Sequence, residues 1–173
     1  MLNMTKLLCA LFLLCVTSTS LRAEWLEFNS TALEEQKLQL EGQQWMLLLW
    51  SVDCPPCFKE LKLVKRLHET LSEKRNNKSE TLPVMLVNVD EIDAEHERRE
   101  IISEMGLNSF SHYYFPEGQN QRGRFLIDPT WSGELPRSYF IDSKGRFHGR
   151  SGLVKQALLE KWLMNTKPNS SAE

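Results

Sequence analysis

Cysteine is too scarce in this sequence for a disulfide framework. There are four in 173 residues, and two of them, Cys9 and Cys15, fall inside an apolar N-terminal run. Charge of one sign is also lacking. A formal net charge of -2 gives no general attraction for nucleic acid or an acidic membrane surface. Clusters such as Lys62-Lys65-Arg66 and Arg98-Arg99 alternate with acids on presumed helices and read as solvated faces. No internal repeat and no low-complexity tract is visible, which excludes solenoid and array architectures. Nor does the N-terminal run, Leu7 to Val16, have the length to span a membrane: at 1.5 Å per residue it covers about half of a hydrocarbon core of roughly 30 Å. With 41% hydrophobic and 25% charged residues, the remainder suits one globular domain.

The N-terminal run has the layout of a secretory signal peptide. Lys6 precedes it, and the small residues of Thr17 to Ala23 follow before the first acid, Glu24. Cleavage after Ser20 or after Ala23 fits. Leu8 and Leu14 precede the two early cysteines, so neither has the small neighbour of a lipid-modified cysteine. The expected organisation is a cleaved signal at 1–23, one domain at 24–165 and a frayed polar tail at 166–173. Losing Lys6 and Arg22 with no acid moves the formal charge from -2 to -4. One cysteine pair then remains, Cys54-Pro55-Pro56-Cys57. In an oxidising compartment that pair can cycle between thiols and disulfide.

Trp45 to Trp50 (WMLLLW) is fully apolar and bounded by Gly42 and Ser51, as a buried parallel strand would be. Residues 57–72 place Phe58, Leu61, Val64, Leu67 and Leu71 on one helical stripe. A turn is expected at Asn76 to Ser79, a second strand at Pro83 to Val89, and a charged helix over 93–105 ending at Gly106. Residues 107–134 are punctuated by Pro116, Gly118, Gly123, Pro129 and Gly133. They read as irregular, with Tyr113-Tyr114-Phe115 and Phe125-Leu126-Ile127 as possible short strands. Ser138 to Ile141, a turn at Asp142 to Gly145, and Arg146 to Ser151 form a hairpin. Leu153 to Met164 closes the domain as an amphipathic helix. Strand–helix alternation followed by a late hairpin predicts an α/β fold, with a central mixed sheet flanked by helices on both faces.

A Cys-x-x-Cys pair can be redox-active, half of a zinc site, or structural. Zinc would want four ligands; His68, His96, His112 and His148 are scattered, and no further cysteine survives cleavage. A disulfide across two residues restricts the unfolded chain little. The pair sits where a buried strand hands over to an amphipathic helix, the setting in which this motif reads as thioredoxin-like. Cys54 falls at the helix N-terminus, where free amides and the dipole favour a thiolate, and is expected to be the exposed nucleophile. Cys57 is expected to be the buried resolving thiol. Pro55 and Pro56 have φ already set for a first helical turn.

The segment Trp50-Ser51-Val52-Asp53-Cys54-Pro55-Pro56-Cys57-Phe58-Lys59-Glu60 resembles the W-x-x-x-C-P-P-C-x-x-E motif of the TlpA/ResA-like branch of the thioredoxin superfamily. Leu135 to Gly145 (LPRSYFIDSKG) is similar to that branch's second signature, apolar-Pro-x-[ST]-aromatic-x-[IL]-D-x-x-G. The resemblance spans about 40–165. It implies the thioredoxin-like fold, a cis peptide before Pro136 facing the cysteines, and a Leu135 backbone that pairs with substrate. It also implies a Glu60 that influences thiol ionisation, and Trp50 counts with Leu135 and Pro136 among the substrate-binding residues. Asp53, Lys62 and Leu48 depart from the pattern: they stand where a bulky residue, a helix-kinking proline and, in cytoplasmic thioredoxins, a buried aspartate are usual.

Neither proline between the cysteines has an N–H to offer Cys54, no cation lies between the thiols, and Glu60 and Asp53 add negative charge, which raises thiol pKa. A poorly stabilised thiolate makes a reductant, with a potential nearer about -270 mV than about -120 mV. The expected function is an exported, periplasmic protein-disulfide reductase, monomeric and without cofactor. Its partners would be protein disulfides and an upstream, membrane-bound thiol donor. Alternatives are a disulfide oxidase or isomerase, or a copper chaperone in which His112 or His148 joins the two sulfurs as a soft ligand set. Asn29, Asn77 and Asn169 head N-glycosylation sequons, which carry meaning only in a eukaryotic secretory pathway.

Overall fold

The computed structural model describes residues 23–75 and 82–164. The signal up to Arg22, the turn at 76–79 and the tail at 166–173 lie outside the described residues.

A six-stranded sheet forms the centre. Its strands are β1 (Trp25–Glu27), β2 (Trp45–Trp50), β3 (Val84–Asn88), β4 (Ser111–Tyr114), β5 (Arg137–Ile141) and β6 (Phe147–Ser151). Their order is β1-β4-β3-β2-β5-β6. The first four are parallel, and β5 and β6 are antiparallel additions. Every residue of β2 and β3 is buried, which is why both read as unbroken apolar runs rather than alternating ones. Among the described residues five α-helices cover the sheet: α1 (Ser30–Gln39), α2 (Pro55–Arg75), α3 (Glu95–Glu104), α4 (Asn120–Ile127) and α5 (Gln156–Met164). Period-two alternation along β2 divides the core. Met46, Leu48 and Trp50 pack with Leu61, Val64, Ile102 and Leu159 on one face. Leu47 and Leu49 pack with Leu33, Phe115, Ile127 and Tyr139 on the other.

The expected strands, hairpin and helices are present, with ends moved by a few residues. Helix α2 runs unbroken from Pro55 to Arg75, and the exposed Lys62 sits within it where a proline would kink it. The stretch 107–134 corrects the expectation of irregular structure, since it holds β4 and α4. Phe125-Leu126-Ile127 is the last turn of a helix, not a strand. Phe125 is left 67% exposed while Ile127 turns inward. Gly123 lets α4 lie against β4: a Cβ there would come within 2.3 Å of the Phe115 ring. Helix α1 buries only Leu33 fully, too little to mark it by periodicity, but its start is fixed by Asn29, whose Oδ1 accepts from the Ala32 amide at 3.0 Å.

Candidate active site

Parallel strands and a following helix bring chemistry to the carboxyl end of the sheet. There β2 ends at Trp50, a short turn follows, and α2 begins at Pro55. Cys54 and Cys57 form a disulfide with a Cα–Cα distance of 5.3 Å. Cys57 is fully buried and Cys54 is 7% exposed. Both are therefore sheltered in the oxidised form, Cys54 the less completely, while Asp53, Pro55 and Pro56 around it are exposed. The Cys57 amide donates to Cys54 Sγ at 3.3 Å. That donor compensates in part for the missing N–H groups of Pro55 and Pro56.

The turn before Cys54 is organised by a residue that sequence reasoning missed. Asp90, just past β3, accepts from Ser51 Oγ at 2.6 Å, from the Val52 amide at 2.8 Å and from Asn88 Nδ2 at 2.7 Å. Ser51 Oγ in turn accepts from the Asp53 amide at 3.1 Å. The available signal was position: an acid directly after a buried parallel strand, at the same end of the sheet as the cysteines.

Trp50 is not at the surface. It is completely buried, as the inward-facing last residue of β2, with Trp25 6.4 Å away between ring centroids. It shares one buried cluster with Cys54 and Cys57, and with no exposed surface it stands as a core residue of the site rather than as the substrate contact expected from the motif. Trp25 also lies 4.9 Å from the His112 ring. His112 is fully buried and donates its Nε2 proton to the Leu107 carbonyl at 2.9 Å. Burial lowers its pKa to about 4, against the raising effect of that bond.

Glu60 lies one turn beyond Cys57 and is 1% exposed, so it is no solvated helix residue. It accepts a short hydrogen bond from Ser138 Oγ and one from the Val154 amide at 3.4 Å. Burial raises its pKa, partly offset by the Ser138 and Val154 donors. Ser138 is the cross-strand partner of Leu48. A carboxyl group from α2 thus reaches the neighbourhood of the strand position where cytoplasmic thioredoxins are expected to carry an aspartate.

The second motif closes the site from β5. The Leu135–Pro136 peptide is cis, as the resemblance implied; Pro136 is buried and Leu135 half-buried. The two histidines of the copper alternative are held elsewhere: His112 as above, and His148 by Asp142 at 3.1 Å. Among the described residues no group of three or more His, Cys, Asp or Glu side chains could hold a metal ion, and no helix is long and apolar enough to cross a membrane.

No protein-family model matches the chain, and no curated protein matches it in sequence. Solved structures do match. A secreted disulfide oxidoreductase of Mycobacterium tuberculosis homologous to E. coli DsbE superposes with a TM-score of 0.51 at 15% identity, over 73% of this chain and 84% of that one. A secreted thiol-disulfide isomerase of Corynebacterium glutamicum gives 0.53 at 18%, over 71% and 70%. A thioredoxin-family thiol:disulfide interchange protein of Chlorobium tepidum gives 0.53 at 18%, over 74% and 82%. The chain has the thioredoxin-like fold, with a Cys-x-x-Cys pair at the start of its first long helix.

Proposed function

We propose that the protein is an exported thiol–disulfide oxidoreductase that reduces disulfides in other periplasmic proteins. The observation that carries the reading is the Cys54–Cys57 disulfide at the α2 N-terminus, supported by the cis Leu135–Pro136 peptide at the entry to the neighbouring strand β5. In the reduced protein, the Cys54 thiolate attacks one sulfur of a partner disulfide. That S–S bond breaks, the departing sulfur leaves as a thiolate that takes up a proton, and Cys54 is joined to the partner in a mixed disulfide. Cys57, once deprotonated, attacks Cys54 Sγ. The second partner sulfur is released, and two electrons have passed to the partner. An upstream dithiol, membrane-bound in this proposal, restores Cys54 and Cys57 by the same exchange in reverse.

The reducing direction is supported by the prolines between the cysteines and by the negative charge of Asp53 beside them. The Leu135 backbone serves as the docking edge for an extended partner segment, and the mature protein acts as a monomer. Ala23 packs in the core, which favours signal cleavage after Ser20 over cleavage after Ala23. One observation favours the opposite direction, that of an oxidase: the Cys57 amide aimed at Cys54 Sγ stabilises a thiolate, and stabilising the reduced form makes a stronger oxidant. Equilibration with glutathione buffers, followed by quantification of free thiols, separates the two. A potential near about -270 mV supports the reductase. One near about -120 mV would overturn it in favour of the oxidase.

A further inference from the structure

The docking edge of the site does not hold itself in place. Glu134 and Leu135 belong to the connection between α4 and β5. Glu134 accepts from the Ser151 hydroxyl at 2.5 Å and, through its carbonyl, from Trp131 Nε1 at 3.0 Å, and the residue that joins both ends of this connection is the first of β5, Arg137. Its side chain is 14% exposed. Nη2 donates to Asp128 Oδ2 at 2.9 Å, and Nη1 donates to Ser151 Oγ at 2.6 Å and to Glu134 Oε1 at 3.4 Å. The guanidinium lies 4.8 Å from the centroid of the Tyr139 ring, whose hydroxyl donates to the same Asp128 oxygen at 3.0 Å. One planar group therefore bridges the two ends of the connection, Asp128 and Glu134, and fastens both to β5 and β6. The rigid fork of arginine suits such bridging, and a lysine could not reproduce it. Gly149 on β6 leaves the space: a Cβ there would stand 2.4 Å from Arg137 Nη2.

We propose that Arg137 is the positioning residue of the docking edge. It sets how well the Glu134–Leu135–Pro136 segment receives a protein disulfide and leaves the sulfur chemistry of Cys54 to the other side of the site. This inference rests on the reductase reading. The Arg137 side chain bonds Asp128, Glu134 and Ser151 and lies over Tyr139, none of them in the turn before Cys54; only its backbone faces the dithiol strand, pairing with Leu49 of β2.

The test uses the mature protein, insulin as the protein disulfide, dithiothreitol as regenerating thiol, and 5,5′-dithiobis(2-nitrobenzoate) as a small disulfide that needs no docking edge. Arg137→Met is expected to raise KM for insulin about tenfold with kcat within about twofold, since loss of positioning acts on productive binding. The rate with the small disulfide and the potential should match wild type. Gly149→Ala removes no hydrogen-bonding group but displaces the guanidinium, and should raise KM in the same direction; it decides the matter if Arg137→Met fails to fold. An unchanged KM in a folded variant overturns the proposal. So does a KM change matched by an equal loss of rate with the small disulfide, because Arg137 would then act on the dithiol. A wild-type protein that reacts with the small disulfide but never reduces insulin defeats the reductase reading itself and takes this inference with it.

Discussion

The two sides of the site are held by hubs of opposite charge. On the dithiol side a carboxylate, Asp90, gathers three donors from Ser51, Val52 and Asn88. On the docking side a guanidinium, Arg137, gathers acceptors from Asp128, Glu134 and Ser151. Each choice follows from what the local backbone presents. The turn between β2 and α2 exposes amides, which need an acceptor. The connection into β5 brings carboxylates, which need a donor. The lesson is a division of labour: the first hub shapes the environment of sulfur, and the second shapes the surface that a partner meets.

The largest effects should come from the sulfurs themselves. Cys54→Ser should abolish insulin reduction, while Cys57→Ser should stall as a mixed disulfide visible on a non-reducing gel. Brief alkylation of the reduced wild type, read by peptide mapping, should label Cys54 well before Cys57. Equal labelling would erase the distinction between nucleophile and resolving thiol.

Acid should separate the two sides in order. His112, stacked under the dithiol side through Trp25, has a folded pKa lowered from 6.5 to about 4. It contributes stability above pH 6.5 that is lost as pH falls through 4, on the order of 3 kcal/mol at full extent. On the docking side the Asp128 carboxyl is lowered from 3.8 to about 2, chiefly by the Thr130 hydroxyl, with further donors in the Thr130 amide, Tyr139 and Arg137. Its contribution is present above pH 3.8 and is lost only as pH falls through 2. Urea titrations across pH 7 to 3 should therefore decline mainly between 6.5 and 4, and His112→Gln should flatten that decline. A decline confined to pH below 4 would remove His112 from the account.

A smaller effect is expected at Asp90. Asp90→Ala leaves the Val52 amide, Ser51 and Asn88 without their acceptor and should cost about 1–3 kcal/mol by denaturant titration. It should also change the pH profile of Cys54 alkylation, which Asp128→Ala should leave in place. If both variants move that profile alike, the division between the sides fails. The smallest effect is at Glu60. Glu60→Gln should lower the apparent pKa of Cys54 by removing a negative charge. If pH-dependent alkylation overlays wild type, the buried carboxyl only fastens α2 to Ser138 and Val154.

The two sides also differed in how legible they were. Cys54 and Cys57 sit in a pattern that encodes their geometry locally, a strand-to-helix junction, whereas the cis peptide before Pro136 was legible only through the resemblance of its motif. The apolar runs of β2 and β3 announced a buried parallel core by local pattern as well. Asp90 becomes a partner of the site only through the pairing of β3 with β2, and Arg137, although it directly follows Pro136, acts through a side-chain fork to Asp128, Glu134 and Ser151 that its place in the motif does not state. The burial of Trp50 follows from the apolar run of β2: both faces of that strand are covered, so neither face would have left its ring at the surface, and nearness in sequence to Cys54 does not change that. Helix α4 stayed hidden because a glycine at its centre and an exposed Phe125 blur the apolar stripe that periodicity needs.

The outer strand β6 carries a consequence beyond redox chemistry. A sheet border with unpaired backbone groups is a template on which another chain can add, and a flat apolar border invites aggregation. Four of the five residues of β6 are exposed, among them His148 and Arg150, and the opposite border, β1, is three residues long. Charge on one border and brevity on the other oppose edge-to-edge stacking, so the sheet offers other chains a poor surface for accretion.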